Sequence, residues 1–522
     1  MIYHTHISSH VERTRFDALR TEIGDHGALL YVGRLLQRAS RLFPLRTALI
    51  CQEAHVTYHE LYIRACKTSA LLRAHGVKPA DKVVLCCDNS IEFYVAYYGI
   101  WQLGAVVVPI NTFLQGAELA HILADAMPTC IVTSVEHEAL FKQTGVPLPA
   151  LLLTTQLPTS DDAVVHDQDI VHDLDRDVMA ALLYTSGTTG MPKGVMLSSN
   201  IIMTNILQSI VRLEFADNER VLGVLPLFHA FAQLACVWAP LFVGAAVIIV
   251  PKIERRFIMV GFEKKPTIVL GVPALYGLFC LMRTVPFDSV KYCVCGGDAL
   301  SDKIRAYFAL LYRRHIASGY GLTETAPVIS FTVEDELMRT GTAGYPLLGI
   351  ECSVRDDNGT QVPYGSNGEL WVRAPNVMLG YYNDQAATNK VLRDGWLNTG
   401  DLVFFDEKGR IVITGRSKDL LINKGFNIYP QEVENVIMSH QNVLQVGVVG
   451  KKDEDLGDIP IAFVQLRTAD AQAAQVLRAL CMQHLAAYKV PRIFICDIKP
   501  LPTTATGKVD KKQLRARVVD IK

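Results

Sequence analysis

YTSGTTGMPKG, residues Tyr184–Gly194, follows the apolar run ALL at 181–183 and therefore lies just beyond a predicted strand. Its hydroxyl groups can donate to phosphate oxygens, its glycines let backbone amides approach an anion, and its lysine adds a positive charge. A Gly/Ser/Thr cluster alone is also typical of a flexible surface loop, but the lysine favours a phosphate-binding loop. The residues assigned to it are Thr185, Ser186, Gly187, Thr188, Thr189, Gly190 and Lys193.

The spacing in this loop excludes the P-loop of many nucleotide hydrolases and kinases. That loop needs glycine immediately before the lysine and serine or threonine immediately after it. Here Lys193 lies between Pro192 and Gly194. A different class of phosphate-binding protein is therefore indicated.

Composition limits the class of protein further. The chain has 522 residues, half of them hydrophobic, so we expect at least two folded units. Its 51 basic and 52 acidic residues give no broad cationic surface, which excludes nucleic acid as an expected partner. The twelve cysteines form no CxxC pair and the first residues resemble no secretory signal, so a cytoplasmic protein with buried free thiols is expected.

One segment tests that expectation, because residues 221–250 have only His229 and Gln233 as clearly polar side chains. Its length alone would suffice to cross a bilayer. Prolines and a glycine interrupt it, and its end is β-branched, so we expect a buried helix followed by a buried strand. No transmembrane segment is predicted, which leaves peripheral membrane contact open.

Helical and β-branched segments alternate along the chain, as in α/β proteins. An echo between LGAVVVPI at 103–110 and VGAAVIIVP at 243–251 favours two stacked α/β subdomains, although two unrelated buried strands would also produce it. From residue 350 short strands between turn signals predict a small β-rich subdomain. A small α+β domain follows, so the predicted domains are residues 1–415 and a mobile lid at 416–522.

At this point a resemblance appears, because YTSGTTGMPKG is similar to the phosphate loop of the adenylate-forming superfamily. That superfamily includes acyl-CoA synthetases, adenylation domains of peptide synthetases and luciferases. Further motifs follow in the family's order and span nearly the whole chain. They are LPLFHAFA at 225–232, GYGLTET at 319–325, NTGDL at 398–402, GRSKDLLINKGFNIYPQEVE at 415–434 and PTTATGKVDKKQL at 502–514.

The resemblance implies a role for each matching residue. Glu324 would bind magnesium, Asp401 and Arg416 would hold the ribose, and His229 would line the acid channel. Lys508 would be the catalytic lysine, and Thr503 departs from the basic residue common in that motif without affecting it. Catalytic roles are implied for Lys508, His229 and Thr185, and nucleotide contacts for Gly319, Tyr320, Gly321 and Thr323.

For the lid, the resemblance implies that Lys418 is a hinge about which 416–522 rotates. One posture would present Lys508 for adenylation, and the other would present Lys424, Gly425 and Phe426 for thiol transfer. The implied reaction joins a carboxylic acid to ATP as acyl-AMP with release of pyrophosphate. It then transfers the acyl group to coenzyme A, so ATP, Mg²⁺ and coenzyme A are the expected cofactors.

The acid itself is less well defined. LGVPALYGLF at 270–279 and CGGDA at 295–299 fall where the family builds its acyl pocket, and they are apolar and small. A medium- or long-chain fatty acid is the preferred expectation, with an aryl acid as an alternative. An acyl-AMP ligase loading an acyl carrier protein, a luciferase-type oxygenase and an inactive binding protein are the other classes, the last disfavoured because every motif residue is present.

Overall fold

The β-branched runs of the sequence form strands. The computed structural model describes residues 10–23, 30–114, 116–160, 174–185, 191–332, 341–423, 426–453, 457–504 and 508–518. In chain order the strands are β1 Thr47–Cys51, β2 Ala54–Thr57, β3 Lys82–Cys86, β4 Val106–Pro109, β5 Cys130–Thr133, β6 Ala150–Leu153, β7 Met179–Thr185, β8 Lys193–Ser198, β9 Arg220–Gly223, β10 Ala246–Ile249, β11 Ile268–Gly271, β12 Tyr292–Gly296, β13 Ile316–Gly321, β14 Val328–Phe331, β15 Thr342–Pro346, β16 Glu351–Arg355, β17 Gly368–Arg373, β18 Gly380–Tyr381, β19 Leu392–Arg393, β20 Trp396–Phe405, β21 Ile411–Arg416, β22 Leu421–Asn423, β23 Phe426–Ile428, β24 Val443–Asp453, β25 Gly457–Leu466 and β26 Ile493–Asp497.

Helices alternate with these strands, and several begin at side-chain caps. Thr57 and Glu60 form a capping box at the start of α3. Ser90 caps α4 and Ser198 caps α7, each through a hydroxyl that accepts a hydrogen bond from a backbone amide of the first turn. The helices are α1 His10–Ile23, α2 Leu35–Leu42, α3 Tyr58–Ala74, α4 Ile91–Gln102, α5 Gly116–Ala126, α6 Glu138–Lys142, α7 Ser199–Leu213, α8 Ala230–Ala232, α9 Ala239–Val243, α10 Arg255–Glu263, α11 Pro273–Met282, α12 Asp302–Tyr312, α13 Gln385–Val391, α14 Pro430–Met438, α15 Ala473–His484 and α16 Lys511–Val518.

Within the described residues the strands form three sheets. The first has the order β18-β8-β7-β4-β3-β5-β6, with parallel pairing from β7 to β6. The second is parallel from β1 through β10, β9, β11 and β12 to β13. The third contains β23, β22, β25 and β24, with β26 beside β25. Two stacked α/β subdomains followed by a small α+β unit are therefore confirmed.

The β-rich region after residue 350 is not a separate sheet. β14 pairs with β15, β15 pairs with β21, and the antiparallel order continues through β20 and β17 to β16. The predicted small β-rich subdomain is therefore hydrogen-bonded directly to the second sheet. This pairing covers what would otherwise be an open sheet edge, and it brings β20 and β21 next to the end of β13.

The apolar stretch at 221–250 folds as expected for a buried segment. It contains β9, a helix that begins at α8 and ends at α9, and β10. A π-helical turn, Gln233–Trp238, separates α8 from α9. Among the described residues, no helix has both the length and the apolar character needed to span a bilayer.

The sequence echo has a structural counterpart. Gly104 and Gly244 both have positive φ, at 77° and 81°, and each ends a helix directly before a strand. The strands that follow, β4 and β10, lie in the first and second sheets respectively. The Gly-Ala pair is therefore a left-handed turn used once in each subdomain.

Helices α3, α4 and α7 fill the space between the first two sheets. Trp101 and Trp238 stack there with ring centroids 6.3 Å apart. The indole of Trp101 donates to the carbonyl of Ala180 at 3.0 Å, and the indole of Trp238 donates to the Tyr97 hydroxyl at 3.0 Å. Dense aromatic packing of this kind fixes the separation of the two sheets, and hence of the site residues they carry.

Candidate active site

A cleft of about 1890 Å³ lies where the three sheets meet. Because the parallel strands of both large sheets end there, polar residues that follow those strands are brought together. Phe426 does not line this cleft, and Ser186, Gly187, Thr188, Thr189, Gly190, Lys424 and Gly425 lie outside the described residues. The sequence-predicted residues that line the cleft are Thr185, Lys193, His229, Gly319, Tyr320, Gly321, Thr323, Glu324, Asp401, Arg416, Lys418 and Lys508.

Thr185 and Lys193 flank the predicted phosphate loop as cross-strand partners. Thr185 ends β7 and Lys193 begins β8, and the two strands are antiparallel neighbours. Both side chains therefore start from the same edge of the first sheet. The Lys193 ammonium lies 5.2 Å from the centre of the Tyr381 ring, within the range of a cation–π contact.

Glu324 lies in a short 3₁₀ turn, Thr323–Thr325, immediately after β13. Its carboxylate Oε1 accepts a hydrogen bond of 2.8 Å from the Tyr381 hydroxyl, and its backbone carbonyl accepts one from the amide of Met378. The carboxylate thus faces the cleft from the second sheet, opposite Lys193 on the first. No group of three or more potential metal-ligating side chains occurs among the described residues.

Asp401 joins two other predicted site residues. Its Oδ2 accepts a 2.7 Å hydrogen bond from the buried Tyr320 hydroxyl, and its Oδ1 lies 2.9 Å from Nε of Arg416. Asp401 and Arg416 are cross-strand partners in β20 and β21, which explains their pairing. Asp401 raises the pKa of the Arg416 guanidinium, so this donor stays charged beside the carboxylate. This arrangement suits a sugar diol.

The glycines of GYGLTET lie where neighbouring atoms leave little room for a side chain. A Cβ at Gly321 would lie 1.8 Å from the carbonyl oxygen of Pro327, so no larger residue fits. Gly319 pairs with Gly296 across β13 and β12, and the two together leave a strip without side chains. Rings of Phe331 and Phe231 lie beside that strip.

His229 caps the helix that begins at α8. Its Nδ1 accepts a 3.3 Å hydrogen bond from the amide of Phe231, which turns the ring toward the cleft. Burial, together with the charge of Lys508, lowers the pKa of His229 to about 4. The ring is therefore neutral at physiological pH.

Lys508 reaches the cleft from the third-sheet unit. Burial and the nearby Arg416 lower the pKa of its ammonium, while Asp298 and Asp401 act in the opposite direction. It thus lies near Asp401, Arg416 and His229. The structure therefore brings Lys508 and the predicted nucleotide-binding residues into one cleft, although Lys508 comes 92 residues after Arg416 in the sequence.

Lys418 lies in the 3₁₀ turn Ser417–Asp419, directly between β21 of the second sheet and β22 of the third. Burial and Arg416 lower the pKa of its ammonium. Its neighbour Asp419 is paired with Arg515 of α16. Burial opposes ionisation of Asp419, but Lys511, Arg515 and Lys418 together lower its pKa.

Phe426 lies away from the cleft on the third-sheet unit, where its exposed ring packs on Tyr488 with centroids 5.0 Å apart. Phe426 is the one predicted thiol-transfer residue that the structure describes, and in this arrangement it does not meet the predicted nucleotide-binding residues that line the cleft.

Sequence reasoning missed two residues. Tyr381 bridges Glu324 and Lys193, and only its position in LGYYND, after a β-rich run, could have pointed to it. Buried Asn89 donates to the carbonyl of Leu225 at 2.9 Å and accepts from the amide of Leu227 at 3.0 Å. It thereby fixes the loop before His229, and an asparagine three residues after the end of the apolar strand β3 was the available signal.

Two family models match this chain. The AMP-binding enzyme model covers residues 36–382 and the model for the AMP-binding enzyme C-terminal domain covers residues 432–508. A 2-succinylbenzoate–CoA ligase from Bacillus mycoides is 32% identical over 490 residues, which is 93% of this chain and 98% of that protein. The chain belongs to the AMP-binding enzyme family, the adenylate-forming superfamily that its motifs resemble.

Solved structures agree with this assignment. An anthranilate CoA ligase in complex with anthranoyl-AMP superposes with a TM-score of 0.87 at 25% identity, covering 94% of this chain and 98% of that one. An o-succinylbenzoate coenzyme A synthetase from Bacillus subtilis, in complex with ATP and magnesium, gives a TM-score of 0.84 at 28% identity, covering 92% and 99%. The protein is an AMP-forming, ATP-dependent acid–CoA ligase that uses ATP, Mg²⁺ and coenzyme A.

The residues present fit magnesium held with a nucleotide. Mg²⁺ in nucleotide sites is bound by one or two carboxylates, with phosphates and water completing the shell. Glu324 supplies one carboxylate facing the cleft, near the edge where β7 and β8 flank the phosphate loop. A full protein cage, which the described residues lack, is not required.

Proposed function

We propose that this enzyme activates an aromatic carboxylic acid and transfers it to coenzyme A. The observation that carries the proposal is the strip formed by Gly296 and Gly319 beside the rings of Phe231 and Phe331. The part of the cleft that these glycines and phenyl rings line, which we call the aryl slot, would suit an aryl group, because aromatic rings pack favourably edge to face or offset. The names of the relatives support the same class, since they specify 2-succinylbenzoate and anthranilate.

The slot lies next to the proposed reaction centre. His229 and Phe231 belong to the same turn at the start of α8 and both line the cleft. A carboxylate at His229 would place an attached ring against Phe231 and the glycine strip. The wall continues with the small residue Ala299 and the apolar Leu300, which follow Gly296 on the same connection.

The preferred expectation of a fatty acid does not gain the same support. It rested on the apolar and small character of 270–279 and 295–299, which suits an aryl group equally well. The similar proteins are named for aromatic acids and none of those described above for a fatty acid. The aryl alternative is therefore the better supported one, and fatty acid metabolism is not proposed.

For adenylation, we assign binding to three groups of residues. Lys193 and Thr185 flank the loop that would hold the ATP phosphates, and Asp401 with Arg416 would bind the ribose. Magnesium, held by Glu324, would neutralise phosphate charge while pyrophosphate leaves.

Lys508 would meet the negative charge that develops as the carboxylate attacks the α-phosphorus. It lies among His229, Arg416 and Asp401, and its partial burial strengthens such an interaction. His229, whose ring stays neutral, would orient the acid without forming an ion pair with its carboxylate. Such an ion pair would oppose the attack of the carboxylate on the α-phosphorus.

For thiol transfer, we assign residues 416–522 as a lid that turns about Lys418. β21 ends the second sheet at Arg416 and β22 begins the third at Leu421, so few residues join the two units. The exposed Phe426 would then face the acyl-AMP once the lid has turned. Large domain rotations about short linkers are a common way to assemble a second active site.

A substrate screen tests the proposal. Pyrophosphate release is measured with ATP and Mg²⁺ for 2-succinylbenzoate, anthranilate, benzoate, octanoate and palmitate, each with and without coenzyme A. We expect kcat/KM for the preferred aryl acid to exceed that for either fatty acid by about a hundredfold, since a shaped apolar pocket discriminates by ~1–3 kcal/mol per misplaced group. A preference for octanoate or palmitate would refute the aryl assignment.

A further inference from the structure

Tyr381 contacts two charged residues that line the cleft, Glu324 and Lys193. Its hydroxyl donates to Oε1 of Glu324 at 2.8 Å. The face of its ring lies 5.2 Å from Nζ of Lys193. One side chain therefore contacts the proposed magnesium ligand of the second sheet and the phosphate-loop lysine of the first.

The backbone around Tyr381 is fixed to both partners. β18 pairs with β8 so that Tyr381 is opposite Val195, and the amide of Tyr382 donates to the carbonyl of Gly194 at 2.7 Å. Three residues earlier, the amide of Met378 donates to the carbonyl of Glu324 at 2.8 Å. The amide of Tyr381 itself is held by the Thr388 hydroxyl at 2.9 Å. The ring therefore has little freedom to follow either charge if that charge moves.

The two charged residues contact different parts of Tyr381. Among the ion pairs of the described residues, none joins Lys193 to Glu324: the carboxylate accepts from the hydroxyl, and the ammonium lies over the ring face. A direct ion pair would neutralise the ammonium that phosphate needs and the carboxylate that magnesium needs. A phenol can hold both, because its hydroxyl is a donor and its ring face attracts a cation.

We propose that Tyr381 is a positioning residue for the metal and pyrophosphate half of the site, which orients Glu324 through its hydroxyl and Lys193 through its ring. The inference rests on the roles proposed for those two residues. It adds that the hydroxyl serves the metal and the ring serves the phosphates, so the two contributions are separable.

The test measures binding without turnover. The non-hydrolysable analogue α,β-methylene-ATP is titrated calorimetrically into the enzyme in Mg²⁺ or in EDTA, with no carboxylic acid present. Tyr381→Phe keeps the ring and removes the hydroxyl, and we expect about tenfold weaker binding in Mg²⁺ with unchanged binding in EDTA. Tyr381→Leu removes both and should also weaken binding in EDTA, by roughly threefold.

Tyr382→Phe is the matched control, because Tyr382 is adjacent and its ring contacts Lys82 at 5.3 Å instead of the site. It should bind the analogue as the wild-type enzyme does. In the kinetics, Tyr381→Phe should raise the KM for Mg²⁺ more than it lowers kcat. Thioester formation from supplied acyl-AMP should not change, since no pyrophosphate is present in that step.

A double-mutant cycle completes the test. In a Glu324→Gln background, Tyr381→Phe should have no further effect on Mg²⁺-dependent binding, because its partner charge is gone. Additive losses, or equal losses in Mg²⁺ and EDTA, would overturn the inference. If Glu324→Gln alone leaves the Mg²⁺ dependence of binding unchanged, the proposed metal role of Glu324 is refuted as well. If Glu324→Gln weakens Mg²⁺-dependent binding but Tyr381→Phe does not, only the role of Tyr381 is refuted.

Discussion

Lys303, in the first turn of α12, donates from Nζ to the backbone carbonyl of His440 at 3.1 Å, just beyond the end of α14. This contact joins the second-sheet subdomain to the third-sheet unit. It places a positive charge at the carbonyl end of a helix, where the helix dipole favours it. Burial and Arg467 lower the pKa of the Lys303 ammonium, as expected for a charge held in a contact between the two units.

Lys303→Ala should loosen the lid in the placement that presents Lys508. Since the lysine is only partly buried, we expect a loss of roughly 1 kcal/mol, or about fivefold in the rate of single-turnover pyrophosphate release. Thioester formation from supplied acyl-AMP should be equal or faster. Lys78→Ala, at an exposed lysine of the first subdomain, is the control and should change neither rate. A fall in both half-reactions would show that Lys303 is not specific to this placement.

Gly296→Val should narrow the proposed aryl slot. A Cβ at Gly296 would lie 3.2 Å from the Phe231 ring, so the branched side chain would have to displace it. Overpacking typically costs ~1–3 kcal/mol, and we expect kcat/KM for the preferred aryl acid to fall about tenfold or more. Calorimetric binding of ATP should be unchanged.

The control for that substitution is Gly277→Ala in α11, where the nearest atom to a Cβ is 3.7 Å away, on Ile304. It should leave kcat/KM near the wild-type value. Undiminished aryl activity in Gly296→Val would place the ring of the substrate elsewhere in the cleft.

Lys508→Ala should separate the two half-reactions. Removing one donor to developing charge typically costs ~2.7–4 kcal/mol, about 10²–10³ in rate, so adenylation should fall by that factor. Thioester formation from supplied acyl-AMP should survive, because the lid has then turned Lys508 away. It is measured as the loss of free thiol. A comparable collapse in both assays would mean that Lys508 is structural or serves both steps.

His229 should remain neutral down to unusually low pH. Its pKa of about 4 lies below the ordinary value of 6.5, so between these values the unfolded chain binds more protons at this position than the folded one. The contribution of the neutral, buried His229 ring to the free energy of unfolding is complete above pH 6.5 and is lost as pH falls toward 4. Wild type should therefore lose stability relative to His229→Gln over that window, as measured by thermal unfolding against pH.

Lys508→Ala offers a check on the cause of that shift. The Lys508 charge is the second cause after burial, so its removal should raise the pKa of His229 part of the way toward the ordinary value. Histidine-selective carbon-13 NMR can follow the ring directly. Titration of His229 at its ordinary pKa in wild type would contradict the buried placement of its ring.

Much of the fold and site could be predicted from sequence. The predicted alternation of helical and β-branched segments is present, for example as α3 Tyr58–Ala74 and β4 Val106–Pro109, and the apolar stretch at 221–250 folds as a buried helix and strand. These are local properties, since hydrophobic period and capping residues act within a few turns. The ordered motifs likewise identified the family, because each fixes residue types at short spacing.

Other features depended on contacts between distant segments. The β-rich region is continuous with the second sheet because β15 pairs with both β14 and β21, which no local pattern encodes. The fatty acid expectation lost its support because an apolar and small sequence does not define the shape of a pocket. That shape comes from Gly296 and Gly319 pairing across two strands beside two phenyl rings.

The sequence by itself determined the family, the reaction class and twelve of the residues that line the cleft, since these follow from local chemistry. Only the tertiary structure decided how those residues are oriented. Tyr381 illustrates the difference: its strand pairs with β8 and its hydroxyl reaches Glu324, so its contacts join three segments far apart in the chain. The physical reason is that side-chain hydrogen bonds and cation–π contacts depend on positions within a few ångströms, and folding alone sets those positions.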